Sequence, residues 1–270
     1  MVIGKKEFPS GVRTYVMGIL NVTPDSFSDG GNFAGMDQAI RQAEKMILEG
    51  ADLIDVGGES TRPGHTPITQ EEEIKRVVPV IRELKKRFDI PVSVDTYKSS
   101  VAESAIDAGA DLINDIWGFR ADEEMAKVAA RYEVPVCLMH NRHKSGYQDI
   151  MAEMVDDLRQ SISVAEKYGV PKDKIILDPG IGFGKTYEDN LYVLNHLERI
   201  VDMGYPVLLA ASRKSVIGMT LDLPVTQREE GTIATSVLGA IKGCEYVRVH
   251  DVQKNVRALR MTDRILGARG

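Results

Sequence analysis

Polar and charged residues follow one short apolar run after another along this chain: Asn21; Asp55 and Glu59; Asp95; Asn114 and Asp115; His140 and Asn141; Asp178; Ser212, Arg213 and Lys214; His250 and Asp251. The set is rich in carboxylates and cations and holds no evident Ser/His/Asp or Cys/His nucleophile arrangement. Its chemistry is therefore that of anion and polar-ligand binding. The strongest local anion signal is Ser212-Arg213-Lys214-Ser215, where exposed N–H groups favour a carboxylate or phosphate and Lys214 can reach a ring carbonyl. Arg248 and His250 stand two apart on a strand-like run, so they share a face and can grip a pyrophosphate together.

Two glycine-bearing loops add to this. In GGESTRPG, Gly57 to Gly64, Thr61 and Arg62 can donate to an anion from a mobile turn, with a merely solvated turn as the alternative. DPGIGFGK, Asp178 to Lys185, falls one residue short of the GxxxxGK[ST] phosphate loop before Thr186, which argues against a nucleoside-triphosphate site. Its glycines suit bringing backbone and Phe183 close to a flat ligand, with plain turn chemistry as the alternative. Helix capping competes with function at such positions. Asp251 reads as a cap for the last helix, and Thr96 as a cap for a helix over Ser99 to Asp107, which frees Asp95 to point inward. Asp178 precedes Pro179, and Asn114 and Asp115 precede Trp117 and Gly118, so capping does not account for them.

The elements that must position these residues follow a regular order. Apolar runs at Tyr15 to Leu20, Leu53 to Val56, Val92 to Val94, Leu112 to Ile113, Val134 to Met139, Lys174 to Leu177, Val207 to Ala211 and Tyr246 to Val249 predict eight strands. Between them, Met36 to Glu49, Gln70 to Phe88, Ile150 to Tyr168 and Arg228 to Lys242 carry apolar residues every three or four positions, the helical period. Eight βα repeats predict an α/β fold, a single (β/α)8 TIM barrel over residues 1–270 with its active site at the C-terminal ends of the strands. An open doubly wound sheet is the structural alternative, but the first strand enters NVTPDSFSDGG and not a GxGxxG turn.

Composition narrows the class further. With 43% hydrophobic and 27% charged residues and no apolar run of spanning length, the 270-residue chain reads as soluble and not as a membrane protein. MVIGKKEFPSG lacks the apolar core of a secretion signal, and Cys137 and Cys244 lie in apolar segments as packing residues, which together point to the cytoplasm. A net charge of −6 without a Lys/Arg block excludes the footprint of a nucleic-acid binder.

NVTPDSFSDGG, IDVGGESTRPG, SVDTYK, LINDI, LDPGIGFGK, ASRKS and VRVHD, in that order, closely resemble the motifs of the dihydropteroate synthases, of the pterin-binding TIM-barrel family. The resemblance implies joining of 6-hydroxymethyl-7,8-dihydropterin diphosphate to p-aminobenzoate, with release of pyrophosphate. It implies a pterin-edge group of Asp95, Asn114, Asp178 and Lys214, with Met139 on the pterin face. It places the diphosphate against Asn21, Arg248 and His250, with Mg²⁺ bridging its oxygens and Asn21. It places p-aminobenzoate among Thr61, Pro63, Phe183, Lys214 and Ser215, with Phe27 and Arg62 supplied by the first two loops. The chemical step falls to Asn21, Arg62, Asp95, Lys214, Arg248 and His250, and the family implies a homodimer. The expected order is dissociative: diphosphate leaves, the dihydropterin stabilises a methylene cation and the neutral arylamine attacks it, a route that requires no strong general base and fits a rim of anion binders without a nucleophile set. The rival readings are a methyltetrahydrofolate:corrinoid methyltransferase, a non-catalytic pterin-binding barrel, and a phosphosugar aldolase with Lys214 as Schiff base.

Overall fold

The computed structural model describes residues 1–22, 31–60 and 66–267. An antiparallel hairpin of β1 (Val2–Ile3) and β2 (Lys6–Glu7) precedes eight parallel strands: β3 (Tyr15–Asn21), β4 (Leu53–Gly57), β5 (Val92–Asp95), β6 (Leu112–Asp115), β7 (Val136–Met139), β8 (Ile175–Asp178), β9 (Leu208–Leu209) and β10 (Tyr246–Val249). They pair in the order β8-β7-β6-β5-β4-β3-β10-β9, and a parallel bridge from Leu177 to Val207 joins β8 to the segment entering β9. This is the expected barrel. The seventh strand is shorter than the predicted Val207 to Ala211, because regular pairing covers only Leu208 and Leu209. The helices that matter for the site are α5 (Ile150–Lys167), α6 (Tyr187–Asn195), α8 (Ser215–Leu221), α9 (Glu229–Ile241) and α10 (Val252–Gly267), counted with α1 (Gly31–Leu48), α2 (Gln70–Arg87), α3 (Ser99–Asp107), α4 (Glu124–Tyr132) and α7 (Glu198–Val201).

Side chains alternate between two faces along a strand, and here the alternation sorts the core into layers. Ile54, Val56, Val92, Val94, Val247 and Val249 pack outward with α1 and α2 residues such as Ile40 and Val77. Met17, Leu53, Leu112, Cys137, Ile176, Leu208 and Tyr246, from seven different strands, meet in one cluster, which only the barrel interior allows. Phe8 joins that cluster against Tyr15 and Tyr246, with ring centroids 4.9 and 5.9 Å apart, so the N-terminal segment closes the lower end of the barrel. This plug has no counterpart in the periodicity, because two-residue strands leave no periodic signal.

Two residues further along four of these strands the inner face turns polar. Leu53 is followed by Asp55, Leu112 by Asn114, Ile176 by Asp178 and Tyr246 by Arg248. The barrel is therefore apolar below and polar above, and the polar layer belongs to the last turns of strand rather than to loops beyond them. Both cysteines are buried and free, as the composition predicts.

Candidate active site

The floor of the site is an ion network carried by four strands. Arg248 Nε donates to Asp55 Oδ2 at 2.5 Å and its Nη2 donates to Asp95 Oδ2 at 2.6 Å. Asn114 Nδ2 donates to the same Asp55 oxygen at 3.2 Å. Strand register accounts for the meeting: Asp95 pairs with Asn114, and Gly57 pairs with Asp95. Burial lifts the Asp95 carboxyl to about 7, an effect that Arg248 opposes and Asp55 reinforces. Burial works against the charge on Arg248, yet Asp55 and Asp95 carry its pKa above the ordinary value. One oxygen on each acid, Asp55 Oδ1 and Asp95 Oδ1, is buried without a hydrogen-bond partner among the described residues. Orphaned buried acceptors cost free energy unless something donates to them, so this floor is built to receive N–H groups.

Arg248 thus turns toward the acids, while His250 takes a different partner. His250 Nδ1 lies 2.9 Å from Ser212 Oγ, and Ser212 Oγ also accepts from the His250 backbone N–H at 3.2 Å. The joint grip expected of Arg248 and His250 becomes two separately anchored groups on one strand end. Asn21 is the last, exposed residue of β3.

The wall after β8 is built from backbone. Gly180, Gly182 and Gly184 all have positive φ, at 65°, 86° and 55°. A Cβ at Gly180 would overlap the His140 carbonyl oxygen, and one at Gly184 would overlap that of Arg142, so the loop presses against the chain leaving β7. A capping box between Thr186 and Asp189 then starts α6. Lys185 faces inward: its Nζ lies 2.9 Å from His140 Nδ1 and donates to Gly180 O and Phe183 O at 2.9 and 3.0 Å. Burial, assisted by the Lys214 charge, lowers Lys185 to about 7, while three acceptors around Nζ favour the ammonium. Lys214 Nζ donates to Ile181 O and sits 4.7 Å from the centroid of the half-buried Phe183 ring. Burial lowers Lys214 to about 8, with Asp178 pulling the other way. Asp178 is raised by burial, partly offset by Lys214, and its Oδ1 accepts from Gly180 N–H at 2.7 Å. Met139 is buried at the end of β7, next in register to Asp178.

Several expectations change. Asp115 is a turn former and not a rim ligand: its two oxygens accept from Trp117 and Phe119 N–H, each at 2.8 Å, stabilising a turn in which Gly118 and Phe119 have positive φ. Thr96 does not cap α3. Its Oγ1 accepts from Lys98 N–H at 3.2 Å, and Asp122 Oδ2 accepts from Ser99 N–H at 3.0 Å instead. Glu59 leaves the rim to join Lys98 at 2.5 Å and Tyr97 at 2.8 Å. Asp251 does precede α10, but its Oδ2 receives Arg213 Nη2 at 2.7 Å. Arg213 is thereby spent on a salt bridge, while Ser215 opens α8 with its side chain exposed. Phe27, Thr61, Arg62 and Pro63 lie outside the described residues. Lys185, hidden in a near-phosphate-loop pattern, and Asp157, the one acid on the buried face of α5, carry no sequence signal of their place in the site. The sequence alone assigns Asp55 no role either, though Asp55 shares the apolar-then-polar spacing of its neighbours. Among the described residues no group of three His, Cys, Asp or Glu side chains gathers that can hold a metal unaided.

Comparison with known proteins decides the family. A model of pterin-binding enzymes matches residues 17–250. The dihydropteroate synthase of Clostridium beijerinckii is 61% identical over 98% of this chain and 99% of its own length. This chain belongs to the dihydropteroate synthase family. A crystal structure of the synthase of Clostridium difficile, in the presence of pteroic acid, superposes with a TM-score of 0.94 at 54% identity, over 96% of this chain and 99% of that one. The Xanthomonas albilineans synthase with 4-aminobenzoic acid gives 0.90 at 43% identity, over 94% and 93%. For a dihydropteroate synthase barrel, the polar upper layer is the natural substrate floor, since ligands of TIM barrels sit at the C-terminal ends of the strands.

Proposed function

We propose that this protein condenses 6-hydroxymethyl-7,8-dihydropterin diphosphate with p-aminobenzoate to give 7,8-dihydropteroate and pyrophosphate, an alkyl transfer to an arylamine carried out by one barrel domain spanning residues 1–270. The observation that carries the reading is the buried floor of Asp55, Asp95, Asn114 and Arg248, in which two carboxylate oxygens await donors. Carboxylates accept and never donate when ionised, so such a floor selects a ring edge bearing paired N–H groups, as an amino-pyrimidine does. Because Asn114 spends Nδ2 on Asp55, its Oδ1 is set as a further acceptor. In this reading Asp178 and Asn114 take the amino-pyrimidine edge, Asp95 the ring nitrogens and Lys214 the carbonyl side, while Met139 packs on the pterin face.

The diphosphate lies against Asn21, Arg248 and His250. Arg248 uses two of its five N–H groups on Asp55 and Asp95, which leaves three for the anion. An exposed asparagine at the end of β3 offers an amide oxygen of the kind that suits Mg²⁺, a hard cation that keeps most of its positions for phosphate oxygens and water, so Asn21 would hold it. When bound, the ion supplies charge neutralisation for the leaving group. The methylene C–O bond breaks with its electron pair going to the diphosphate, the electron-rich dihydropterin shares the resulting positive charge, and the amine lone pair closes the new C–N bond before losing a proton. Cationic contacts strengthen as the leaving group gains charge, and this lowers the barrier. The arylamine enters between Phe183, Lys214 and Ser215, with Thr61, Pro63, Phe27 and Arg62 on its outer side.

The test is Mg²⁺-dependent release of pyrophosphate from the pterin diphosphate, with and without p-aminobenzoate. Release in both cases, with dihydropteroate formed only when the arylamine is present, supports the synthase and its dissociative order. Release only with p-aminobenzoate removes the order, and no release together with methyl transfer to a cobalamin removes the synthase reading. Exposed Met219, Leu221, Ile241, Met261 and Ile265 on α8, α9 and α10 support a homodimer through that face, which light scattering checks. A cytoplasmic location suits the free thiols of Cys137 and Cys244. No helix among the described residues is long and apolar enough to cross a membrane.

A further inference from the structure

We propose that Lys185, His140 and Asp157 form a positioning relay that fixes the loop over residues 179–186 against the end of β7 and so sets the arylamine wall. The inference rests on the synthase reading above. An ammonium has three donors and no acceptor. Lys185 has three acceptors within 3.0 Å, namely His140 Nδ1, Gly180 O and Phe183 O. Facing the ammonium form of Lys185, Nδ1 accepts, which leaves the ring proton on Nε2, and that nitrogen lies 3.1 Å from Asp157 Oδ2 on α5, an acceptor suited to it. Arg142 Nε donates to the same oxygen at 2.6 Å, and Arg120 Nη1 stands 3.5 Å from Asp157 Oδ1. The acid is thus oriented from two sides, and the tautomer of a histidine only 1% exposed is determined. Burial and the Lys185 charge hold His140 down to about 3, in keeping with a neutral ring.

The geometry explains why this reaches one substrate more than the other. Lys185 gathers both ends of the turn that carries Phe183, by its bonds to Gly180 and Phe183 themselves. Lys214 grips Ile181 O from the opposite side and lies over the Phe183 ring. Displacing the loop therefore moves Phe183 first: Lys214 loses Ile181 O but keeps the attraction of Asp178, the one tie to the pterin edge is the Gly180 N–H on Asp178 Oδ1, and the Asp55–Asp95–Arg248 floor stands on other strands with no bond to the relay. Gly180 and Gly184 allow the close approach, and Lys185 supplies the attraction that keeps it.

The experiment measures both Michaelis constants, kcat and the melting temperature for wild type, Lys185→Met, His140→Phe and His140→Gln. The relay predicts a KM for p-aminobenzoate raised about tenfold in Lys185→Met and His140→Phe, with the KM for the pterin diphosphate within about threefold. His140→Gln can accept from Lys185 and donate to Asp157, so it is expected to stay near wild type in both constants. Equal rises in both constants, a fall in kcat alone with lowered melting temperature, or a Gln variant as impaired as the Phe variant would overturn the relay. If Lys185→Met does not fold, the His140 pair decides. Failure of the synthase reading shows differently, as wild-type protein that makes no dihydropteroate at all.

Discussion

The floor and the wall of this barrel mouth solve the same problem with different materials. The floor joins side chains from β4, β5, β6 and β10 that are far apart in sequence, holds opposite charges at 2.5 to 2.6 Å, and keeps two acceptor oxygens in reserve. The wall after β8 uses backbone carbonyls, three glycines at positive φ and two lysines that point at the loop itself. Strand register fixes the floor to within the tolerance of the sheet. The wall depends on close approach and a few bonds, so it is the part that can be displaced without disturbing the barrel. On this view the floor governs the pterin and its diphosphate, and the wall governs chiefly the arylamine, touching the pterin only through Asp178 and Lys214.

The largest effect is expected for Arg248→Ala. It removes the guanidinium that donates to Asp95 Oδ2 and the closer of the two donors to Asp55 Oδ2, leaving two buried carboxylates without their counter-charge. Losing one member of a buried pair costs about 3–5 kcal/mol of stability, and because the cation proposed to hold the diphosphate is lost as well, a fall in kcat/KM of about 10³-fold is expected. Steady-state kinetics and a thermal melt check both. Binding of the pterin alcohol should fall as well as that of the diphosphate, with the larger loss on the diphosphate.

Next is Asp95→Asn, expected to lower kcat/KM for the pterin diphosphate about 10²-fold, and it carries a pH signature. The Asp95 pKa is raised from its unfolded value to about 7, so folding takes up a proton between those limits. Its contribution to stability is therefore present at low pH and is lost as pH rises through about 7. Pterin binding that needs the ionised acid should rise over the same interval. In wild type relative to Asp95→Asn, pterin affinity should increase and melting temperature decrease between pH 5 and pH 8; parallel pH curves for the two proteins would remove Asp95 from the ring edge.

Gly180→Ala attacks the wall. A methyl there meets the His140 carbonyl and the residue sits at φ 65°, so a loss of about 2–3 kcal/mol in stability and about tenfold in KM for p-aminobenzoate is expected. The smallest effect on activity belongs to Asp115→Asn. Asp115 is as buried as Asp95, and burial raises it too, to about 6, but both its oxygens are satisfied by backbone N–H groups. Kinetic constants within about threefold of wild type and a lowered melting temperature are expected, because a turn weakens and no substrate contact is lost.

Asp115 also marks where the sequence stops being legible. Asp95, Asn114, Asp115 and Asp178 look alike as polar ends of apolar runs, and the alternation of strand faces separates them only once the register is known. Asn114 faces the interior and Asp115 the turn, one residue apart. The eight strands and their order were readable from periodicity, and Asp95 followed from its place at a strand end, whereas Asp55, at a strand end too, gained its role only from the contact with Arg248. The N-terminal plug, the pairing of Glu59 with Lys98, and the Ser212–His250 contact were not readable, since each joins positions that only the closed barrel brings together. Lys185 was concealed by its motif: a lysine after glycines suggests a phosphate, whereas this one binds the loop that bears it.

The division between floor and wall is tested most directly by measuring the two Michaelis constants side by side in Asp95→Asn and Gly180→Ala. The account predicts a crossed pattern, with Asp95→Asn impaired chiefly toward the pterin diphosphate and Gly180→Ala chiefly toward p-aminobenzoate. Losses of equal size toward both substrates in both variants would contradict it.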